Sequence, residues 1–308
     1  MAEAHEPFGR EAVRAHRERA ARNLGDHDFL LGEVGKRLCE RLEDIKREFP
    51  VALDLGCHGG ALGGLLAGRS GIETLIQCDL SPAMAKRAFE ENRGLAPSLA
   101  ADEEFLPFAD ESFDLILSDL SLHWVNDLVG ALIQIRRTLK PDGLFIGAML
   151  GGETLRELRE ALMEAELIHE GGASPRISPF VDVRDAGDLL QRAGFALPVA
   201  DCDTITVTYG NALSLMRDLR GMGEANAVRA RRNAFTRRTT LMAAAALYEK
   251  KHAGADGRIP ATFQVVYLSA WAPHESQQQP LRPGSAAARL ADALGAAERP
   301  AGDKAKPR

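Results

Sequence analysis

The sequence predicts an α/β fold in which a parallel β-sheet is covered by helices on both faces. Short apolar runs alternate with segments of helical periodicity over most of the chain, and this alternation is typical of strand–helix–strand units. Acidic and glycine residues come directly after the first apolar runs. Ligands of such sheets bind at the carboxyl ends of the strands, so these residues predict a binding cleft there.

The residues that precede the predicted sheet are expected to be helical. Residues 1–25 are polar and rich in arginine, with helix-forming residues between the charges. Residues 30–49 place apolar side chains at helical spacing, which predicts an amphipathic helix packed on the next unit. We therefore expect a helical N-terminal arm over residues 1–48.

The alternation of strands and helices begins at residue 51. The predicted strands cover residues 51–56, 74–80, 113–119, 144–150, 203–209 and 261–272. The predicted helices cover residues 61–69, 127–139, 152–169, 184–193, 211–220 and 241–251, and a further helix is capped by Ser81 and begun by Pro82. Residues 49–272 are expected to form one domain with a helical lid at about 211–251. Residues 273–308 are expected to be a disordered tail.

Composition limits the class of protein. The chain has 308 residues, of which 45% are hydrophobic and 27% charged, as in soluble globular proteins. The formal net charge of −6 does not favour nucleic acid as a partner. The four cysteines form no C-x-x-C pair, so reduced thiols are expected. No apolar run approaches the ~20 residues of a membrane span. The arginine-rich N-terminus also carries four glutamates, which is atypical of a targeting peptide. We expect a cytoplasmic protein without membrane insertion.

The strongest local motif is a glycine-rich turn after the first predicted strand. Asp54 ends the strand, and Gly56 and Gly60 allow a sharp turn and a close approach to a ligand. A lone turn of this kind also fits dinucleotide-binding folds, whose spacing is G-x-G-x-x-G. The spacing here, D-x-G-x-x-x-G, resembles the first motif of class I S-adenosylmethionine-dependent methyltransferases. That resemblance implies that Asp54 helps to hold the amino-acid end of the cofactor. His58 stands where that family usually has glycine.

Further polar residues follow the next strands in order. Asp79 ends the second strand, where a carboxylate can accept hydrogen bonds from both ribose hydroxyls. The family resemblance implies that Asp102 binds the adenine amino group. The segment 118–124 is expected to border the reactive sulfonium. The predicted cofactor site is completed by Leu80, Glu103 and Ser118. Each acid alone could be a helix cap or a loop residue, but their joint order favours a Rossmann-like methyltransferase fold.

The segment after the third predicted strand contains the candidate catalytic residue. His123 could act as a general base, because imidazole titrates near neutral pH. It could equally pack beside Trp124 and line the cofactor pocket. Asp119 and Ser121 are possible acceptors in the same segment. The N/D-P-P-Y/F loop of amide methyltransferases is absent from 118–124, which disfavours adenine and glutamine amides as substrates.

An arginine-rich run near the lid could bind an acidic or phosphate-bearing partner. Residues 227–239 contain no acid, and the alternative is a solvated helix face. The arginines of this run are Arg229, Arg231, Arg232, Arg237 and Arg238. Because the chain is acidic and shows no RNA-binding module, this run does not predict a nucleic-acid enzyme.

Three segments resemble the complex I assembly factor 5 group, a branch of the class I methyltransferase superfamily close to the malonyl-carrier-protein O-methyltransferases. They are FGREAVRAHRERAA at 8–21, the segment 171–209, and NALSLMRDLRGMGEANAV at 211–228. The similarity covers about residues 8–272, and LMRDLRGMGEAN is its most specific part. We expect a bacterial relative of that group, with a Rossmann-like sheet, a helical arm and a helical lid.

The resemblance implies S-adenosyl-L-methionine as the cofactor and a protein substrate, a subunit of respiratory complex I. In the mitochondrial group the activity is described as hydroxylation of an arginine on a core iron–sulfur subunit. No metal site is predicted, because the only H-x-E pair, His16 and Glu18, lies on a helical arm where such side chains diverge.

The lid helix has two predicted faces by the same resemblance. Its apolar face is expected to cover the cofactor cleft and consists of Leu215, Met216, Leu219 and Met222. Its polar face is expected to point outward or toward a protein substrate and consists of Arg217, Asp218, Arg220 and Glu224. A plain amphipathic helix on the edge of the sheet is the alternative.

Four functions remain open from the sequence. The leading prediction is an S-adenosylmethionine-dependent methyltransferase that acts on a protein substrate in complex I assembly. The alternatives are an arginine hydroxylase of a complex I iron–sulfur subunit, a small-molecule or carrier-protein carboxyl O-methyltransferase, and a non-catalytic assembly chaperone that binds the cofactor.

Overall fold

The computed structural model describes residues 6–232, 234–278 and 290–297. The chain divides into a compact unit of residues 1–273 and a second unit of residues 274–308. Within the second unit the described part includes a short helix, α10 (Leu290–Leu294). Most of the predicted disordered tail lies outside the described residues.

The first unit is built on a seven-stranded sheet. Its strands are β1 (Val51–Leu55), β2 (Thr74–Asp79), β3 (Ser98–Ala100), β4 (Phe113–Asp119), β5 (Leu139–Leu150), β6 (Ala196–Tyr209) and β7 (Ile259–Trp271). Their order across the sheet is β3-β2-β1-β4-β5-β7-β6. The strands from β3 to β5 are parallel, and β7 runs antiparallel to both of its neighbours.

Two features of the sheet differ from the sequence prediction. β3 was not predicted, because three residues are too few to show a periodic pattern. The sheet is mixed rather than parallel, since β7 enters between β5 and β6 in the reverse direction. A strand's apolar pattern reports its burial and not its direction.

The helices of the first unit lie at or close to the predicted positions. They are α1 (Arg10–Ala20), α2 (Phe29–Glu43), α3 (Ala61–Leu66), α4 (Pro82–Glu91), α5 (Leu128–Thr138), α6 (Arg156–Glu170), α7 (Val183–Arg192), α8 (Ala212–Met222) and α9 (Arg238–His252). Helix α4 begins as predicted: the Ser81 hydroxyl accepts a hydrogen bond from the Met84 amide at 3.2 Å, and Pro82 occupies the first turn.

Apolar clusters cover both faces of the sheet. On one face, Leu38 of α2 and Leu158 of α6 are buried with residues of β4 and β7. On the other face, Ile135 of α5 and Leu190 of α7 are buried against β4 and β5. Each fully buried leucine or isoleucine contributes about 1.5–3 kcal/mol through removal of apolar surface from water. The layered packing leaves the carboxyl ends of β1, β2 and β4 at one edge, where the turns that follow them meet.

The N-terminal arm closes over that edge. Phe8 contacts the ring of Trp124 edge-on, with 5.4 Å between the ring centroids. The same arm forms an isolated antiparallel bridge between Phe8 and Val228, and the Gly9 amide donates to the Ala227 carbonyl at 2.8 Å. Helix α1 is thus anchored beside the loop that follows α8.

In the described residues, no helix is long and apolar enough to cross a membrane.

Candidate cofactor and substrate site

The glycine-rich turn after β1 is tightly packed. Gly56 and Gly60 have positive φ angles of 73° and 84°, which strain any residue with a side chain. A Cβ atom on Gly56 would lie 2.1 Å from the Ser121 hydroxyl, and one on Gly60 would lie 2.7 Å from the Ala88 backbone. The positions predicted as glycines of a ligand loop therefore require glycine on steric grounds.

His58, which replaces a glycine of the resembled motif, also adopts a positive φ, 46°. Its ring is buried, and Nε2 lies 3.1 Å from the Asp119 carbonyl and 3.2 Å from the Leu120 carbonyl. Burial lowers the pKa of His58, and the nearby cation of Arg17 lowers it further. We infer that His58 is neutral with its proton on Nε2, since both neighbours are acceptors.

Two buried carboxyl groups face a cavity beside this turn. Asp54 accepts a hydrogen bond from the Gln77 amide at 3.0 Å through one oxygen. The Oδ1 atoms of Asp54 and Asp119 have no hydrogen-bond partner among the described residues. Burial raises the pKa of Asp54 to about 7 and that of Asp119 well above its ordinary value. The cavity they line has a volume of about 620 Å³ and offers unpaired oxygens to a donor or cation.

The Asp79 carboxylate is held by an arginine from the N-terminal arm. Its Oδ1 accepts from the Ser81 amide at 2.8 Å. Its Oδ2 accepts from the His58 amide at 3.1 Å and from Arg17 Nη1 at 3.2 Å. Arg17 also donates to Glu103 at 2.8 Å and to the Ser121 hydroxyl at 2.8 Å. Both oxygens of the predicted ribose acid therefore already accept hydrogen bonds from protein groups.

The ion pair between Arg17 and Glu103 shifts the pKa of both groups. Burial alone would lower the pKa of Arg17, but Asp79 and Glu103 raise it above its ordinary value. Burial alone would raise the pKa of Glu103, but Arg17 and Arg10 lower it well below its usual range. Arg17 and Glu103 are thus both charged at neutral pH.

Arg10, two turns earlier on α1, holds the next pair of acids. It forms ion pairs with Asp102 and Glu103, and Asp102 also accepts from the Glu104 amide at 2.9 Å. Helix α1 therefore supplies a cation to each of the acids predicted to bind ribose and adenine. Neither arginine was predicted to belong to the site.

Two other predicted cofactor residues have packing roles. The Ser118 hydroxyl donates to the Leu55 carbonyl at 2.8 Å, which joins β4 to β1. Leu80 packs against the cluster formed by Phe8 and its apolar neighbours. Their roles toward a cofactor remain predictions.

His123 lies in a short 3₁₀ turn after β4 and pairs with Glu224. The imidazole Nε2 is 2.9 Å from Glu224 Oε2, and Trp124 Nε1 donates to the same oxygen at 3.0 Å. Burial alone would raise the pKa of Glu224, but His123, His58 and Arg17 lower it. The pairing with Glu224 is compatible with the predicted role of His123 as a general base. The ring of His123 also packs beside Trp124, with 5.4 Å between the ring centroids, which is the alternative that the sequence left open.

Of the two directions expected for Glu224, outward or toward a protein substrate, the structure excludes the outward one. Helix α8 ends at Met222, and Gly223 adopts a left-handed conformation with φ of 90°. The helical spacing therefore no longer applies at residue 224, and the chain turns this carboxylate inward. Asp218, within α8, pairs instead with His27 at 2.8 Å.

A largely apolar cavity of about 900 Å³, its open mouth included, lies on the other side of Trp124. Its apolar walls come from β5, α6, the 177–180 segment, α8 and α9. Its polar lining includes Glu224, Arg176 and Arg220. Arg176 is an ion-pair partner of the buried Glu166, whereas Arg220 forms no ion pair within the described part of the chain. This cavity is the candidate substrate site, because Glu224, which lines it, also accepts the hydrogen bond of the buried His123.

The arginine-rich run is not a solvated helix face. Residues 227–232 and 234–237 form no helix, and α9 begins only at Arg238. Arg232 pairs with Glu170 at 2.8 Å, and Arg229 pairs with Glu6. Much of the positive charge is therefore satisfied within the chain. No group of three or more His, Cys, Asp or Glu side chains is arranged to hold a metal ion in the residues that the structure describes.

The cleft accommodates S-adenosylmethionine at one end only. At the Asp54 end, unpaired carboxyl oxygens face an open cavity, which suits the ammonium group of an amino acid. At the Asp79 end, Arg17 occupies the carboxylate, and Ser121 lies against Gly56. In this conformation Arg17 takes a hydrogen bond of the carboxylate that was predicted to bind the ribose.

Known proteins match the chain in sequence and fold. The family described as methyltransferase domain matches residues 53–147. The mitochondrial arginine-hydroxylase NDUFAF5 of Danio rerio is 45% identical over 287 residues, 92% of this chain and 88% of that protein. The malonyl-[acyl-carrier protein] O-methyltransferase of Methylovorus sp. is 36% identical over 270 residues, 85% of this chain and 88% of that protein. A Haemonchus contortus phosphoethanolamine N-methyltransferase, solved with S-adenosyl-L-methionine, superimposes with a TM-score of 0.53 at 16% identity, covering 85% of this chain and 60% of that chain.

Proposed function

The chain belongs to the NDUFAF5 group of the class I S-adenosylmethionine-dependent methyltransferase superfamily, and we propose that it modifies an arginine of a complex I subunit during assembly. S-adenosyl-L-methionine is the cofactor class of this fold. The Danio rerio relative reported above is named an arginine-hydroxylase.

The lining of the apolar cavity supports an arginine as the modified residue of the substrate. An arginine side chain has a three-carbon apolar stem and a terminal cation. The cavity offers apolar walls along its length and the Glu224 carboxylate at its inner end. A guanidinium placed there would pair with Glu224 within reach of His123, and the stem would be buried by Leu158, Met216 and their neighbours.

A second candidate is carboxyl O-methylation of a malonyl group on a carrier protein. Arg220 lines the mouth of the same cavity and has no ion-pair partner among the described residues. An unpaired guanidinium favours a substrate that carries a carboxylate. The identity of 36% to a malonyl-carrier-protein methyltransferase supports the same reading.

The test is the mass of complex I subunits from cells with and without the gene. We expect one arginine-containing peptide to lose its modification when the gene is deleted. A difference of about 14 Da would mean methylation and one of about 16 Da would mean hydroxylation. Unchanged masses with complex I lost would favour an assembly chaperone, and unchanged masses with complex I intact would contradict the proposal. Fractionation of the same cells tests the expected cytoplasmic location.

A further inference from the structure

We propose that helix α1 is a displaceable plug of the cofactor cleft, in which Arg17 and S-adenosylmethionine compete for the Asp79 carboxylate. The proposal rests on the proposed function only in its choice of cofactor. The acids of the cleft suit a nucleoside in type and in order along the chain. In the structure, however, two arginines of α1 form ion pairs with them.

The first step is that three donors already surround the Asp79 carboxylate. Both of its oxygens are engaged, by two backbone amides and by Arg17, and the carboxylate is fully buried. Two ribose hydroxyls need free acceptor oxygens at hydrogen-bond distance. Of the three donors, only Arg17 belongs to a separate element that can withdraw without unfolding the turn after β1.

The second step is that α1 covers the whole predicted nucleoside site. Arg10 and Arg17 lie seven residues apart, which is about two helical turns or ~10 Å along the axis. Arg17 holds Asp79 and Glu103, and Arg10 holds Glu103 and Asp102. The other polar residues of the helix point elsewhere: Arg14 is 55% exposed and pairs with Glu18. Only the two arginines that reach the acids face the cleft.

The third step is charge balance. Asp79 and Glu103 are buried and need a compensating cation. Arg17 supplies it in the closed form, where its side chain is 1% exposed. The ribose hydroxyls that would replace Arg17 at Asp79 are neutral donors. Displacement of Arg17 therefore costs free energy, which the other contacts of the cofactor must supply.

The fourth step is that α1 lies outside the sheet. It packs against α4 and α8 and buries Val13 and Ala20. The residues just before it are held by the Phe8–Trp124 contact and the Gly9–Ala227 hydrogen bond. No strand of the sheet is contributed by the arm. The helix can therefore swing out while the sheet remains folded.

The experiment compares S-adenosylmethionine binding to the full chain by calorimetry for wild type, Arg17→Met, Arg17→Lys and the control Arg14→Met. Displacement costs free energy, so the wild-type affinity is reduced by the fraction of molecules that are open. We expect Arg17→Met to bind about tenfold or more tightly than wild type, and Arg14→Met to match wild type. Arg17→Lys, which keeps one charge and loses the forked donors, should fall between them.

Hydrogen exchange provides a readout that does not depend on any variant. In the wild-type protein, saturating S-adenosylmethionine should accelerate exchange of the amides of residues 10–20, since the helix leaves its site. Arg17→Met leaves two buried acids unpaired, which destabilises the fold. If that variant does not fold, hydrogen exchange and the Arg17→Lys variant still test the proposal.

Two results would overturn the plug and are distinguishable. If wild type binds S-adenosylmethionine while α1 stays protected and the Arg17 variants bind more weakly, Arg17 is part of the cofactor site and the proposed function stands. If neither wild type nor any folded variant binds S-adenosylmethionine at millimolar concentration, the choice of cofactor fails and the plug fails with it.

Discussion

The Glu224 carboxylate accepts from the His123 imidazole at 2.9 Å, and the same oxygen accepts from the Trp124 indole at 3.0 Å. A single atom from the loop after α8 thus orients two consecutive rings of the loop after β4. Because Glu224 Oε2 can only accept, His123 must carry a proton on Nε2. Its Nδ1 has no partner in the described part of the structure, so it is the ring atom available as a base.

Glu224→Gln should slow modification of the protein substrate and raise its KM, because the carboxylate that pairs with His123 would also pair with the substrate guanidinium. The amide keeps the shape but no longer stabilises the imidazolium form, and we expect a loss of about tenfold or more in kcat. Steady-state kinetics on a subunit peptide would show this. Asp218→Asn is the matched control, because it alters a second histidine–carboxylate pair on α8, with His27. Equal effects of the two substitutions would mean that Glu224 acts only through the packing of the lid.

Asp54→Asn should flatten the dependence of stability on pH. Burial raises the pKa of Asp54 to about 7, so between about pH 4 and 7 the unfolded chain releases a proton that the folded chain keeps. Wild type therefore loses stability as pH rises through this window, by up to about 1.4 kcal/mol per pH unit from this group. Urea unfolding at pH 5, 6, 7 and 8 measures the difference. Parallel curves for both proteins would show that Asp54 is ionised in the folded state.

Gly56→Ala should destabilise the chain, whereas Gly64→Ala should not. At Gly56 the new methyl group meets Ser121 at 2.1 Å and φ is 73°, which costs about 1–3 kcal/mol or more. At Gly64 in α3 nothing lies within 4 Å of the new atom, and alanine should add about 0.5–1 kcal/mol of stability. Thermal unfolding of both variants compares them. Similar melting temperatures for the two would contradict the tight packing of the turn.

Arg220→Gln separates the two candidate substrates. For an arginine substrate, loss of a positive charge at the cavity mouth should leave KM unchanged or lower. For a malonyl carrier protein it should raise KM by about tenfold or more, since a charged hydrogen bond is lost. Arg217→Gln, an exposed change on the same helix, is the control. Equal effects of the two substitutions on KM would mean that Arg220 does not contact the charged group of the substrate.

The sequence could predict the sheet edge and the acids that line it. Burial gives strands a continuous apolar pattern, and the end of the pattern marks the residue that enters the cleft, as at Asp54 and Asp79. Comparison with known proteins confirms the fold and the family. The two parts of the sheet that escaped prediction, β3 and the direction of β7, carry no periodic signal of their own.

The sequence could not predict which groups satisfy those acids. Arg17 and Glu103 are 86 residues apart in the chain, and His123 and Glu224 are 101 apart. Such pairs are created by packing and leave no local pattern. Arg17 looked like one more charge in a polar arm, and Glu224 looked like an outward helical residue until Gly223 turned the chain.

The bridge between Phe8 and Val228 has a consequence for the order of events on the ribosome. Synthesis proceeds from the N-terminus at about 5–20 residues per second. Residue 8 therefore waits on the order of ten seconds or more before residue 228 exists to receive it. By the end of that interval helix α1 and strands β1 to β5 have been made, but the arm still lacks its anchor. The newborn chain thus passes through a stage in which the arginines of α1 and the acids of the cleft are both present while the bridge that fixes the arm is not.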